Sequence, residues 1–204
     1  MKRILSGFLA VALAFASILP ATIPQAFAQQ AVVDALRNVT NREATYTANA
    51  NISLATTPTE IFYLTGSATK TVYVREVTVQ CTKTASGYVL GYLMKRSTAT
   101  TGGTSATPTV IPLDSGNSTA TAVAKSFTAN PTVGTGVSLA QLYVPFISTA
   151  TYTEPSIVRY RWGEGMEQNL VLRGVAQAVA INFNAGTTTG GVCNVHVTWM
   201  EQAS

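Results

Sequence analysis

His196 is the single histidine of the chain, so any hydroxyl nucleophile activated by an imidazole would have to lie beside it. The order Val195-His196-Val197 places it in the middle of a strand pattern, on the face opposite Trp199, and no G-x-S-x-G elbow presents a serine. Ser67-Ala68-Thr69-Lys70 has the S-x-x-K spacing of serine acyl enzymes. Here Gly66 leads it into a turn between strands, without the S-D-N and K-T-G partners that complete such a site. Glu154, Glu164 and Glu167 stand in sequence near Arg159 and Arg161. Two carboxylates at a set separation would serve glycoside hydrolysis, as would Asp114 as an exported acid, but charge pairing at a strand end accounts for the glutamates more simply. One His with two Cys does not fill a closed metal site, and no P-loop or dinucleotide fingerprint occurs. The expectation is a chain with no catalytic residue, no metal and no cofactor.

Cys81 and Cys193 are the only cysteines, and in an exported chain an even, minimal count points to one disulfide rather than a metal site, two unpaired buried thiols being the alternative. Export is expected from the N-terminus. Met1-Lys2-Arg3 is followed by an apolar run from Ile4 to Leu19 and then by Ala26-Phe27-Ala28: a positive n-region, a core shorter than the roughly 20 residues of a spanning helix, and small residues at a cleavage site. Residues 1–28 read as a signal peptide, leaving a secreted or periplasmic chain with no membrane association after cleavage. Two of the 13 basic residues lie in that leader, so the formal net charge of +4 falls to +2 in the mature chain, which removes the electrostatic case for nucleic acid as a partner.

The elements that must position these residues follow from periodicity. Val32, Leu36 and Val39 recur at helical spacing and predict a short N-terminal helix or arm over residues 29–45. Residues 46–204 read as one β-domain, with β-branched and aromatic residues in short runs between turn residues. In Val158-Arg159-Tyr160-Arg161-Trp162 the apolar residues alternate with two arginines, so one face is buried and the arginines look outward. In Val192–Trp199 the set Cys193, Val195, Val197, Trp199 faces inward. In Thr71–Cys81 the apolar phase passes from Val72 and Val74 to Val77, Val79 and Cys81 across Arg75-Glu76, which predicts a bulge. Further strands are expected at residues 59–65, 88–95, 122–128, 139–144, 169–173 and 177–184. Eight to ten strands in all predict an antiparallel β-sandwich of jelly-roll type. The Ser/Thr/Gly/Pro-rich stretch from Ser97 to Thr121 predicts a long loop, and loops of that length usually contact something.

Residues 65–72 (Thr-Gly-Ser-Ala-Thr-Lys-Thr-Val), 95–105, Pro112-Leu113-Asp114-Ser115, 127–135, Leu172-Arg173-Gly174 and the closing Val197-Thr198-Trp199-Met200-Glu201 resemble a family of uncharacterised proteins of tailed bacteriophages and prophages. The likeness covers most of residues 59–201. It implies a β-rich structural subunit of a virus particle, assembling with copies of itself or with other particle proteins, and it carries no catalytic motif. The signal peptide is a departure from that family. The expectation is an exported homo-oligomer that uses an exposed strand edge, the Ser97–Thr121 loop with Asp114, and the Arg159/Arg161 face for partner contact. The alternative is a monomeric module for a surface glycan, with Tyr143, Phe146 and Tyr152 stacking on sugar rings.

Overall fold

Branched and aromatic side chains sit comfortably on a pleated strand, and every regular element among the described residues is a strand. The structure, a computed structural model, describes residues 43–83, 87–148, 157–164 and 168–203. The expected leader, the helical part of the arm, Tyr152, Glu154 and Glu167 lie outside the described residues. The described residues hold twelve strands: β1 (Ala44–Ser53), β2 (Glu60–Thr65), β3 (Lys70–Lys83), β4 (Gly87–Arg96), β5 (Ser105–Ala106), β6 (Val110–Pro112), β7 (Ala124–Phe127), β8 (Gly136–Ser148), β9 (Val158–Arg161), β10 (Leu170–Arg173), β11 (Ala178–Asn182) and β12 (Val192–Ala203). They form one sheet in the order β5-β7-β2-β11-β4-β8-β3-β12-β1-β6, with β9 and β10 added to β3. The β3–β8 pairing is parallel and the rest are antiparallel, so the sheet is mixed, and it curls into a half-barrel.

The all-β class agrees with the sequence. In place of two antiparallel layers of eight to ten strands there is a single mixed sheet of twelve, and the length of β3 is the physical reason. Over its 14 residues one edge pairs with β12 from Lys70 to Thr82, while the other edge serves β10 at Thr71–Val74, β9 at Glu76–Val79 and β8 at Cys81–Lys83. Strands that could have made a second layer are thereby tied into the first. Residues 44 and 45, expected to end the arm, begin β1.

The core lies on the concave side and follows the period of two. Tyr46, Ala48, Ala50 and Ile52 of β1, Val77, Val79 and Cys81 of β3, and Cys193, Val195, Val197 and Trp199 of β12 are all buried in it. Cys81 and Cys193 sit directly opposite each other, with Cα atoms 4.1 Å apart, and are disulfide-bonded. The bulge expected at Arg75-Glu76 is present. Thr198 pairs with Glu76 and Trp199 with Val74, so Arg75 has no opposite number on β12.

A smaller apolar cluster of Tyr63, Phe127, Ala178 and Ala180 sits apart from the main core. Beside it, Glu60 accepts hydrogen bonds from Arg96 Nε (2.9 Å) and Nη2 (2.6 Å) and from Thr100 Oγ1 (2.7 Å), while Arg96 Nη1 donates to Gly134 O. Burial is the largest influence on the Glu60 carboxyl and raises its pKa, against the opposing effects of Thr100 and Arg96. The start of the expected Ser97–Thr121 loop is therefore anchored by a buried ion pair, and the loop contains the short strands β5 and β6.

Candidate interaction site

The sheet register places the convex-side residues of β9, β3, β12 and β1 in rows. Arg161 lies opposite Glu76, Glu76 opposite Thr198, and Thr198 opposite Thr47; the next row runs Arg159, Thr78, His196, Asn49. Both arginines, expected to face outward, do so. Glu76 Oε2 accepts from Arg161 Nε at 2.7 Å, Glu76 Oε1 lies 3.4 Å from Arg159 Nε, and Arg161 Nη1 donates to Glu164 at 3.2 Å. Burial alone would raise the Glu76 carboxyl. Hydrogen bonds from Arg161 and Thr78, with the charges of Arg159 and Arg161, outweigh it and hold Glu76 below the ordinary glutamate value. The arginine face is thus largely neutralised by its own carboxylates, and exposed, solvent-screened pairs of this kind contribute little to stability.

The bulge gives this face its relief. Two consecutive side chains, Arg75 and Glu76, both escape the core and line a cleft of about 290 Å³ with Arg161, Trp162, Glu164, His196 and Thr198. The turn after β9 closes its rim: Trp162 N donates to Arg75 O, and Arg75 Nη1 donates to Asn169 Oδ1. Gly163 makes this close approach possible: its φ of 72° is one that L side chains rarely adopt, and a Cβ there would push on Asn169 Oδ1 and Arg75 Nη1. Gly163→Ala is expected to destabilise the fold by more than about 1 kcal/mol, measured by thermal unfolding. His196 Nε2 lies 2.7 Å from Thr47 Oγ1, so the lone histidine is engaged by a threonine hydroxyl.

Ser67 and Lys70, the S-x-x-K pair, converge on Glu201 and not on each other's chemistry. Ser67 Oγ accepts from the Thr69 and Lys70 main-chain N–H groups and lies 2.7 Å from Thr121 Oγ1, while Lys70 Nζ is 3.4 Å from Glu201 Oε2. Asp114 is exposed in the turn after β6, where its Oδ1 accepts from Gly116 N and its carbonyl from Asn117 N. The sheet order sets β9, β3, β12, β1 and β6 side by side, so Asp114 stands about four strand spacings, roughly 19 Å, from the arginines. Asp114 and the two arginines, all expected to serve partner contact, therefore lie on separate parts of the surface.

A second surface was hidden from the sequence. On the convex side of β4 and β8, Tyr88 lies opposite Pro145, Leu90 opposite Tyr143 and Tyr92 opposite Gln141. Tyr88 is 70% and Tyr143 62% exposed, and their ring centroids are 6.2 Å apart. No charged side chain belongs to these three pairs. Of the aromatics expected to stack on sugar rings, Tyr143 is exposed, whereas Phe146 is buried in the core. The signal that could have exposed the panel is the alternation Tyr88, Leu90, Tyr92 against Val89, Gly91, Leu93, which makes both faces of β4 apolar. Another cleft, of about 300 Å³ and lined by Lys95, Arg96, Ser97, Thr135, Gly136, Val137 and Gln177, offers less, because Arg96 is consumed by Glu60 and Gly134.

Among the described residues there is no group of three or more potential metal ligands, and no helix is long and apolar enough to cross a membrane. Compared with known proteins, the chain matches no family model, no curated protein and no solved structure.

Proposed function

We propose that this chain is an exported, non-catalytic structural subunit that assembles with copies of itself, in the manner of a virus-particle protein turned outward. The observation that carries the proposal is the tyrosine panel of β4 and β8: an uncharged, solvent-facing sheet surface with two tyrosines well over half exposed. Interface cores are depleted of charge and enriched in tyrosine, and a panel without charge meets a second copy of itself without repulsion. The buried Cys81–Cys193 bond supports an oxidising destination, in keeping with the leader-like N-terminus.

Light scattering of the processed protein over a range of concentrations tests it. The expected result is a discrete oligomer whose mass the double change Tyr88→Glu, Tyr143→Glu lowers, with an unchanged circular dichroism spectrum. A monomer at every concentration would sink the proposal. The exposed ring pair also favours a second reading, a monomeric glycan-binding module. It predicts saturable binding on a glycan array that Tyr143→Ala removes, with no change of mass.

A further inference from the structure

β1 has an open edge. It pairs with β12 from Ala44 to Ser53, but on its other side β6 covers only Tyr46, Thr47 and Ala48. In an antiparallel strand both main-chain polar groups of a residue point to the same neighbour, and successive residues alternate. Leu54 N donates to Gly191 O, next to β12, while Thr45 O accepts from Leu113 N, next to β6. The odd-numbered residues therefore face the β6 side. Past Ala48 no described strand covers the edge to which the N–H and C=O groups of Asn49, Asn51 and Ser53 point, and all three residues are exposed. Among the described residues no side chain bonds to these groups.

Natural edge strands usually carry a charge, a proline or a bulge that discourages pairing. The segment Asn49-Ala50-Asn51-Ile52-Ser53 has none of these, and its pairing with β12 is regular throughout. It is also palindromic in character: polar, apolar, polar, apolar, polar. A hairpin partner entering from the Ala44 end would have to displace β6, so the edge is suited to a strand from outside the molecule.

We infer that two copies of this chain join edge to edge through Asn49–Ser53, antiparallel about a two-fold axis at Asn51. Asn51 then exchanges both main-chain hydrogen bonds with its own copy, and Asn49 does so with Ser53 of the other, giving about six bonds. Ala50 falls opposite Ile52 of the other copy on the concave side, and Asn49 opposite Ser53 on the convex side, so no charge or unlike surface is brought together. The inference goes beyond self-association through the tyrosine panel and stands or falls separately from it: the panel is a sheet face and this is a sheet edge.

Charge placed at the axis gives the test, because a residue on a two-fold meets itself. Asn51→Lys and Asn51→Glu are each expected to weaken the edge contact about tenfold or more through like-charge repulsion, and an equimolar mixture of the two is expected to restore it. The readout is light scattering in the Tyr88→Glu, Tyr143→Glu background, which removes the panel contact, together with hydrogen exchange. In the unsubstituted edge the amides of Asn49, Asn51 and Ser53 should exchange quickly in dilute solution and slowly when concentrated, while those of Ala50 and Ile52 stay slow. Exchange at Asn49, Asn51 and Ser53 that does not change with concentration would overturn the inference, whether fast throughout or slow throughout. So would charge variants that associate like the parent, or a mixture that fails to recover. An association that Tyr88→Glu, Tyr143→Glu leaves unchanged, with edge protection retained, would overturn the tyrosine-panel proposal and leave this one standing.

Discussion

Replacing Cys81 and Cys193 together by alanine is expected to lower the stability of the fold by about 4–5 kcal/mol, the chain-entropy value for releasing a loop of roughly a hundred residues. The two cysteines are 112 residues apart in sequence, so in the unfolded protein the cross-link holds together most of the sheet-forming chain. In the folded protein it adds little, because β3 and β12 are already paired from Lys70 to Thr82. Against a typical total of about 5–15 kcal/mol this loss is large. Urea unfolding measures it, and the expected signature is a lower midpoint with a steeper transition, since the denatured state without the cross-link exposes more surface. Reduction of the native protein in denaturant should reproduce the result. A midpoint unchanged by the double substitution would show that the unfolded chain is restrained by something other than the disulfide. The staple lies where it binds most: Cys81 pairs across to Cys193 and, on its other side, to Phe146 of β8.

Glu201 carries the second large effect. Its side chain is fully buried, and it accepts hydrogen bonds from Thr121 N and Oγ1, Ala122 N and Trp199 Nε1, with Lys70 Nζ 3.4 Å away. The carboxylate can only accept, so the Thr121 hydroxyl hydrogen goes to it and Ser67 donates to Thr121. Through these contacts the segment before β7 is fastened to β12. Tyr46 strengthens the same join, with its hydroxyl donating to Ser118 O and its ring stacked on Trp199. Glu201→Gln puts an amide N–H among donors and leaves Lys70 without its partner, so a loss of about 3–5 kcal/mol is expected. Burial alone would raise this carboxyl. The hydrogen bonds from Ala122, Thr121 and Trp199 outweigh it, so its folded pKa lies below the ordinary glutamate value. A depressed folded pKa means stabilisation that is complete above the unfolded pKa and lost as the pH falls through the folded one. The stability gap between the native protein and Glu201→Gln should therefore be widest near neutral pH and close in acid. A gap independent of pH would show that the variant acts through packing and not through the charge.

The sequence was legible wherever a strand could be recognised from its own side chains. Alternation identified β3, β9 and β12, put Cys81 and Cys193 on inward faces, turned Arg159 and Arg161 outward, and located the bulge at Arg75-Glu76. β1 escaped because Ala and Asn, both poor strand formers, hide an alternation in which Tyr46, Ala48, Ala50 and Ile52 are the buried set. β5 and β6, of two and three residues, exist because β7 and β1 offer them an edge, and their own residues do not call for strands.

What the chain itself determined is local: all-β character, which residues turn inward, where one strand breaks phase, and that its two cysteines share a face. Tertiary structure alone decided that β3 would gather three strands on one edge and make a single mixed sheet, that Glu201 would meet residues 79 and 80 positions away, that the faces of β4 and β8 would align their tyrosines, and that β6 would stop short and leave Asn49–Ser53 open. The physical reason is that a side-chain period fixes which face of a strand is buried, whereas a strand's neighbour is chosen by main-chain groups that every residue carries alike.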